Sequence, residues 1–283
     1  MNIDNEVLIM YSTNEKYAPY MGVSIYSLIQ NVSDKYTYKI FVLYDKLHDR
    51  YINKIINLAT DNVSIEFINI SHLLNRDGVK EVSFYSKEAM ARLFVDKIFL
   101  NKNKILYLDC DTVIRVDIAE LYKEDISNYI IGACNDRISS GVKKYVENSL
   151  SISPELYFNS GILLINIDEF RKNDIAEKCF KLSVKNDFQF PDQDMLNITC
   201  YQKVKYLDPK WNAQWTTVVC ESAFKENDKV IVESENNILD SYIIHYTTRF
   251  KPWRYPQYKF ANIFWHVARE TCFYEEILIN NCK

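Results

Sequence analysis

Four short apolar runs, at 7–11, 39–44, 64–70 and 104–108, are separated by segments whose apolar residues recur at helical spacing, as Ile52, Ile55, Ile56 and Ala59 do over 49–59. This alternation constrains the fold more than any other feature. Strand followed by helix followed by strand favours a mostly parallel sheet covered on both faces, because a parallel connection needs a crossover long enough for a helix. The same reading places helices over 17–30, 86–100 (with Ser86 as N-cap) and 174–186, and strands over 130–134, 161–167 and 241–246. A further helix opens at Phe190-Pro191-Asp192-Gln193-Asp194, and 12–16 is a strand-to-helix loop. With 283 residues and no linker or repeat, the chain is read as one α/β domain over 1–255 and a helical appendage over 256–283 rich in aromatics.

Composition removes several functional classes. Hydrophobic residues at 48% and charged residues at 25% suit a globular chain, and 34 basic against 38 acidic residues give a net charge of −4, so no nucleic-acid partner is expected. The five glycines are too scattered for a Walker A loop or a G-x-G-x-x-G turn. Seven cysteines without a C-x-x-C pair read as reduced thiols, and the N-terminus lacks a signal-peptide pattern. Together these place the chain in the cytoplasm, with the sequons at Asn31, Asn62 and Asn197 unmodified. The tail aromatics are left with two homes, a membrane surface in peripheral contact or the domain itself.

Chemistry concentrates where strands end. Asp109 and Asp111 follow Ile105-Leu106-Tyr107-Leu108, at the carboxyl edge where open α/β sheets bind ligands. If the strand pleat continued, both carboxylates would point one way and Cys110 another. An ordinary acidic turn has the same letters, but this placement favours two hard oxygen ligands for Mg²⁺ or Mn²⁺. His245 ends another apolar strand, where a structural histidine is the commoner case, and its imidazole would shift the preference toward Mn²⁺. Lys251, beside Pro252 and Trp253, is either a surface cation or a point charge returning over these strand ends to a diphosphate.

The segments YLDCDT, YFNSGILLIN, PDQDMLN and HYTTRFKPW, in this order, resemble the family 8 retaining glycosyltransferases, bacterial galactosyl- and glucosyltransferases related to glycogenin. The resemblance runs from about Val7 to Trp253. It implies a GT-A type, Rossmann-like domain that moves galactose or glucose from a UDP-sugar to a glycan or lipid-linked glycan, as in cell-surface polysaccharide synthesis, with Mn²⁺ and with Mg²⁺ as the alternative. Asp109, Asp111 and His245 resemble the metal ligands and Lys251 the diphosphate lysine. Ser12, Asn14 and Tyr17 map to the first-loop residues that meet uracil, with Asn14 where an aspartate is usual. Arg92 resembles the arginine that touches donor sugar and phosphate. Cys110 sits between the two aspartates among the donor-lining positions, and Asp136, Asn159, Asp192 and Gln193 line the donor sugar and acceptor. Thr248 stands where the family usually has glycine, which puts close backbone approach to phosphate in question.

Retention fits same-face attack by the acceptor, with Gln193 stabilising the anomeric centre through its carbonyl dipole and Asp192 as the fallback nucleophile, because an amide is a poor nucleophile. The segments 139–157 and 216–237 are read as acceptor-lining loops. Two rival functions remain. A non-catalytic nucleotide-sugar or glycan-binding protein would explain Thr248, while a sugar-1-phosphate nucleotidyltransferase would require a glycine-rich first loop that this chain lacks.

Overall fold

In β1 (Glu6–Thr13), Val7, Ile9 and Tyr11 enter one apolar layer and Leu8 and Met10 the other. In β2 (Thr37–Tyr44), Ile40 and Val42 part in the same way from Phe41 and Leu43, and in β4 (Lys104–Leu108) Leu106 and Leu108 part from Ile105 and Tyr107. Neighbouring side chains on a strand point to opposite faces, so a sheet covered on both sides needs unbroken apolar runs rather than alternating ones. The computed structural model describes residues 5–75, 87–216 and 228–281.

Seven strands form the central sheet in the order β3–β2–β1–β4–β7–β6–β8, with β3 (Val63–Asn69), β6 (Ile131–Asn135), β7 (Phe158–Asn166) and β8 (Val204–Tyr206). The pairs β1–β2, β2–β3, β1–β4 and β6–β8 are parallel. Between β4 and β6, β7 runs antiparallel to both. That reversal matters for the site. It sets the start of β7 beside the end of β4, with Leu108 opposite Ile162 and the Asp109 N–H donating to the Gly161 carbonyl at 2.8 Å.

A second sheet, β5 (Thr112–Ile114), β10 (Ile243–His245) and β9 (Ala213–Gln214), lies in the same apolar layer as helix α1 (Ala18–Ile29). Because β10 is antiparallel to β5, His245 comes opposite Thr112, next to Asp111. The helix expected over 86–100 is instead a 3-10 helix, Lys87–Phe94, followed by one α-turn, Val95–Ile98; Ser86 lies outside the described residues. Carbonyls that an α-helix would use are taken by side chains. The Ser12 hydroxyl donates to the Glu88 carbonyl at 2.7 Å and Arg92 Nε to the Ala89 carbonyl at 2.9 Å.

The stretch 139–157, expected to be a loop, holds a helix, Ser140–Leu150, and a 3-10 turn, Pro154–Leu156. Within 216–237, residues 217–227 lie outside the described residues and a helix, Asp228–Leu239, follows. The tail forms two helices, Ala261–Arg269 and Tyr274–Asn281, where one was expected. Ala261, Phe264, Ala268, Phe273 and Ile277 are buried in the layer that holds α1. Gly22 of α1 explains the close fit, since any Cβ there would run into the Phe273 ring. Glu276 adds an ion pair to Lys54 at 3.1 Å and accepts the Tyr51 hydroxyl, tying the tail to helix α2 (Asp49–Ile56). Among the described residues no helix is long and apolar enough to cross a membrane, and Cys110, Cys134, Cys179, Cys200 and Cys272 are unpaired; Cys220 and Cys282 lie outside them.

Candidate active site

Asp109 and Asp111 sit in the turn between β4 and β5, so the turn, and not a continuing pleat, aims both carboxylates at His245. The Thr112 hydroxyl donates to the Asp109 carbonyl at 3.0 Å, and the Tyr246 N–H donates to the Asp111 carbonyl at 2.9 Å, which pins both ends of this turn. His245 Nε2 lies 3.5 Å from Asp109 Oδ2 and 3.3 Å from Asp111 Oδ1. One ligand atom from each of the three residues falls within 4.8 Å of the others. Cys110 turns away, its thiol donating to the Ser12 carbonyl at 3.0 Å.

Gly161 forms the floor of this cluster. A Cβ there would collide with His245 Cε1 and stand 2.6 Å from Asp109 Oδ2, so the space the three ligands share exists because residue 161 has no side chain. Two carboxylates and an imidazole converging on such a cradle fit a divalent metal ion.

Electrostatics keep both aspartates ionised. Burial opposes charge on Asp109, but Arg92 and then His245 hold its carboxyl below the ordinary carboxylate value. Burial opposes it at Asp111 too, where Lys251 and His245 hold the carboxyl well below that value. Burial alone would lower the His245 pKa, yet Asp111 and the hydrogen bonds to both aspartates push it up to about 9. Lys251, only 9% exposed, pairs with Asp111 and donates to the Tyr246 carbonyl at 2.7 Å, and Asp111 raises its pKa against the effect of burial.

Arg92, 3% exposed, links this cluster to the helix Pro191–Thr199. Its Nη2 donates to Asp109 Oδ1 at 2.8 Å, its Nη1 to the Ser160 carbonyl, and its Nε lies 3.4 Å from Asp192 Oδ2. The Tyr107 ring sits under the guanidinium at 4.1 Å and the Tyr107 hydroxyl donates to Asp109 at 2.6 Å. The Ser160 hydroxyl donates to Asp192 at 2.8 Å, so the Asp192 carboxylate is doubly engaged. Gln193 accepts the Ser160 N–H at 3.0 Å and donates through Nε2 to Asp136 Oδ2 at 2.7 Å; burial raises the Asp136 pKa and the Gln193 contact opposes that. Asp194, fully buried, accepts from Tyr145, Tyr157 and the Phe190 N–H and fixes the start of the helix, where Pro191 supplies the preset φ.

The first-loop residues are held nearby. Asn14 accepts the Tyr17 N–H at 3.1 Å and donates to Glu88 at 3.2 Å, while Tyr17 meets Trp253 edge to face with centroids 6.4 Å apart. Thr248 keeps a left-handed φ of 74° and its hydroxyl accepts the Phe250 N–H at 3.2 Å. Sequence alone did not single out Asn212, Ser160, Gly161 or Tyr107. Asn212 Oδ1 lies 3.0 Å from His245 Nδ1 and Asn212 Nδ2 donates to Asn159 Oδ1 at 2.9 Å. The only local hint was the WN pair after the Asp208-Pro209 turn.

This sheet order, with acidic and imidazole side chains gathered at the carboxyl end of β4, is the GT-A fold. The chain superposes on the apo WbbM bifunctional glycosyltransferase with a TM-score of 0.83 at 23% identity, covering 100% of this chain and 53% of that one. On galactosyltransferase LgtC in complex with donor and acceptor sugar analogues the TM-score is 0.74 at 23% identity, over 93% and 96% of the two chains. The chain belongs to glycosyltransferase family 8, whose sequence model matches residues 8–257. It is 29% identical over 251 residues to a putative glycosyltransferase of Haemophilus influenzae, covering 87% of this chain and 72% of that protein. It is 26% identical over 272 residues to a lipopolysaccharide 1,2-glucosyltransferase of Escherichia coli, covering 90% and 76%. A lipopolysaccharide 1,3-galactosyltransferase of Salmonella typhimurium is 25% identical over 87% of this chain and 72% of its own length.

Proposed function

We propose that this chain is a retaining hexosyltransferase that moves galactose or glucose from a UDP-sugar to a glycan or lipid-linked glycan, with Mn²⁺, or Mg²⁺ in its place, at Asp109, Asp111 and His245. The observation that carries the reading is the gathering of these three ligands over Gly161 with Lys251 against them. Relatives whose names are those of lipopolysaccharide glucosyl- and galactosyltransferases support the sugar and acceptor class. The site of action is the cytoplasm, at the membrane when the acceptor is lipid-linked; the exposed Leu278 and Ile279 of the last helix suit such contact.

When bound, the ion supplies Lewis-acid neutralisation of the diphosphate. Lys251 adds a compact charge toward the leaving group, and Arg92 presents its guanidinium on the sugar side. Tyr17 offers a face for uracil, and Asn14 Nδ2, exchanging Glu88 for the base, offers a donor. Gln193 is neutral, with its oxygen taken by the Ser160 N–H and its Nε2 by Asp136, which suits a fixed polar lining of the sugar side more than a nucleophile. Asp192 Oδ2 is taken by Arg92 and Ser160, so this residue orients the arginine, which favours same-face attack by the acceptor over a covalent step at Asp192. The test is transfer from UDP-galactose and UDP-glucose to lipooligosaccharide acceptors, with the product linkage read by NMR. An α-linked product is expected; a β-linked product, or a preference for GDP- or CDP-sugars, overturns the proposal.

A further inference from the structure

A run of side-chain amides joins His245 to Asp136. His245 Nδ1 meets Asn212 Oδ1 at 3.0 Å, Asn212 Nδ2 donates to Asn159 Oδ1 at 2.9 Å, Asn159 Nδ2 to Gln193 Oε1 at 3.3 Å, and Gln193 Nε2 to Asp136 Oδ2 at 2.7 Å. An isolated amide can face either way, but two backbone groups settle the direction here. The Gly161 N–H donates to the Asn159 side chain at 3.0 Å and the Ser160 N–H to the Gln193 side chain at 3.0 Å, so each of those side chains must turn its oxygen to β7. With its oxygen facing Gly161, Asn159 requires a donor from Asn212. The Asn212 oxygen is then the atom facing His245, and Nδ1 must carry the proton. Every donor in the chain points the same way, an arrangement in which hydrogen bonds strengthen one another.

We propose that Asn212 is a positioning residue. It holds the His245 ring with Nδ1 protonated and the Nε2 lone pair aimed between Asp109 and Asp111, and through Asn159 it locks the Gln193 amide, so that metal site and sugar-side amide are set by one hydrogen-bonded chain anchored on the β7 backbone. The proposal rests on the metal reading of Asp109, Asp111 and His245. Asn212 is 3% exposed, so water cannot take over its role, and a ring nitrogen ligand oriented by a hydrogen bond at its other nitrogen is a general requirement of imidazole metal sites.

Two variants separate the halves of the chain. Asn212→Leu keeps the size and removes both hydrogen bonds. Asn212→Asp keeps an acceptor for Nδ1 but offers no donor to Asn159. Mn²⁺ alone is titrated by electron paramagnetic resonance, with the nitrogen modulation of bound Mn²⁺ as the signature of His245 ligation. Asn212→Leu is expected to weaken Mn²⁺ about 10- to 100-fold and to lose nitrogen modulation. Asn212→Asp is expected to bind Mn²⁺ at least as tightly as wild type, with the modulation intact, but to turn over more slowly. Wild-type Mn²⁺ affinity in Asn212→Leu overturns the proposal. So does an Asn212→Asp variant that loses Mn²⁺, a result that remains decisive should Asn212→Leu fail to fold. Absence of Mn²⁺ binding in the wild-type protein instead overturns the metal reading, and the role of Asn212 with it.

Discussion

Thr248 holds φ at 74°, in the left-handed region, so a β-branched residue sustains a backbone conformation that favours glycine. The conformation costs about 1–2 kcal/mol. Thr248→Gly removes that strain but adds about 0.5–1 kcal/mol of chain entropy, and the Phe250 N–H loses its acceptor. The terms nearly cancel, so the melting temperature is expected to stay within about 2 °C of wild type; a fall well beyond that would contradict the strained reading. At His245 the relevant measurement is pH. Its pKa is raised from the ordinary 6.5 to about 9, so its contribution to the stability of the metal-free fold is complete below pH 6.5 and is lost as pH rises through 9. The lowered aspartates act in the opposite range, with their contribution present above 3.8 and lost on acidification. Binding a divalent ion must displace the imidazolium proton, so Mn²⁺ affinity is expected to rise between pH 6.5 and 9 and then level off. Calorimetry across that range checks it, and a flat profile would remove His245 from the ligand set.

Among the elements, β7 does most to assemble the site. It supplies Asn159, Ser160 and Gly161 in sequence, with the first two gripping Gln193 and the third lying under His245. Gly161→Ala is expected to abolish Mn²⁺ binding while the thermal unfolding transition persists, because the added methyl points into the ligand cluster and not into a core layer; unchanged Mn²⁺ affinity would contradict the cradle. Unbroken apolar runs make β1, β2 and β4 legible, since both faces of these strands are buried. The ends of β4 and β10 are legible too, and with them Asp109, Asp111 and His245. The direction of β7 is not, because a run buried on both faces reads the same in either sense. Strands as short as β9, two residues, have no period to detect. Asn212 stayed hidden for another reason: its partners are 33 and 53 residues away, and such a chain exists only after the 3-10 turn Pro209–Asn212 has come against β10 and β7.

The whole molecule places its tail helices against α1, so the two ends of the chain share one core. Phe273→Ala is expected to cost about 3–5 kcal/mol, as deletion of a buried ring does, and Gly22→Ala about 1–3 kcal/mol by forcing that ring aside; denaturant unfolding measures both, and a neutral Phe273→Ala would mean that the tail is not part of the core. The aromatics of the tail also reach the active site, since Trp253, two residues from Lys251, stacks on Tyr20 of α1 at 3.8 Å and packs against Phe264 at 5.1 Å. Core and site are thus one assembly, and its purpose turns on whether Asp109, Asp111 and His245 join an ion to a nucleotide. Calorimetric titration of UDP into the protein, with Mn²⁺ and with EDTA, and again with Asp111→Asn, puts this to the test. The account predicts binding that needs Mn²⁺ and is lost in Asp111→Asn; UDP binding of equal strength in EDTA, or Mn²⁺ dependence unchanged in the variant, would contradict it.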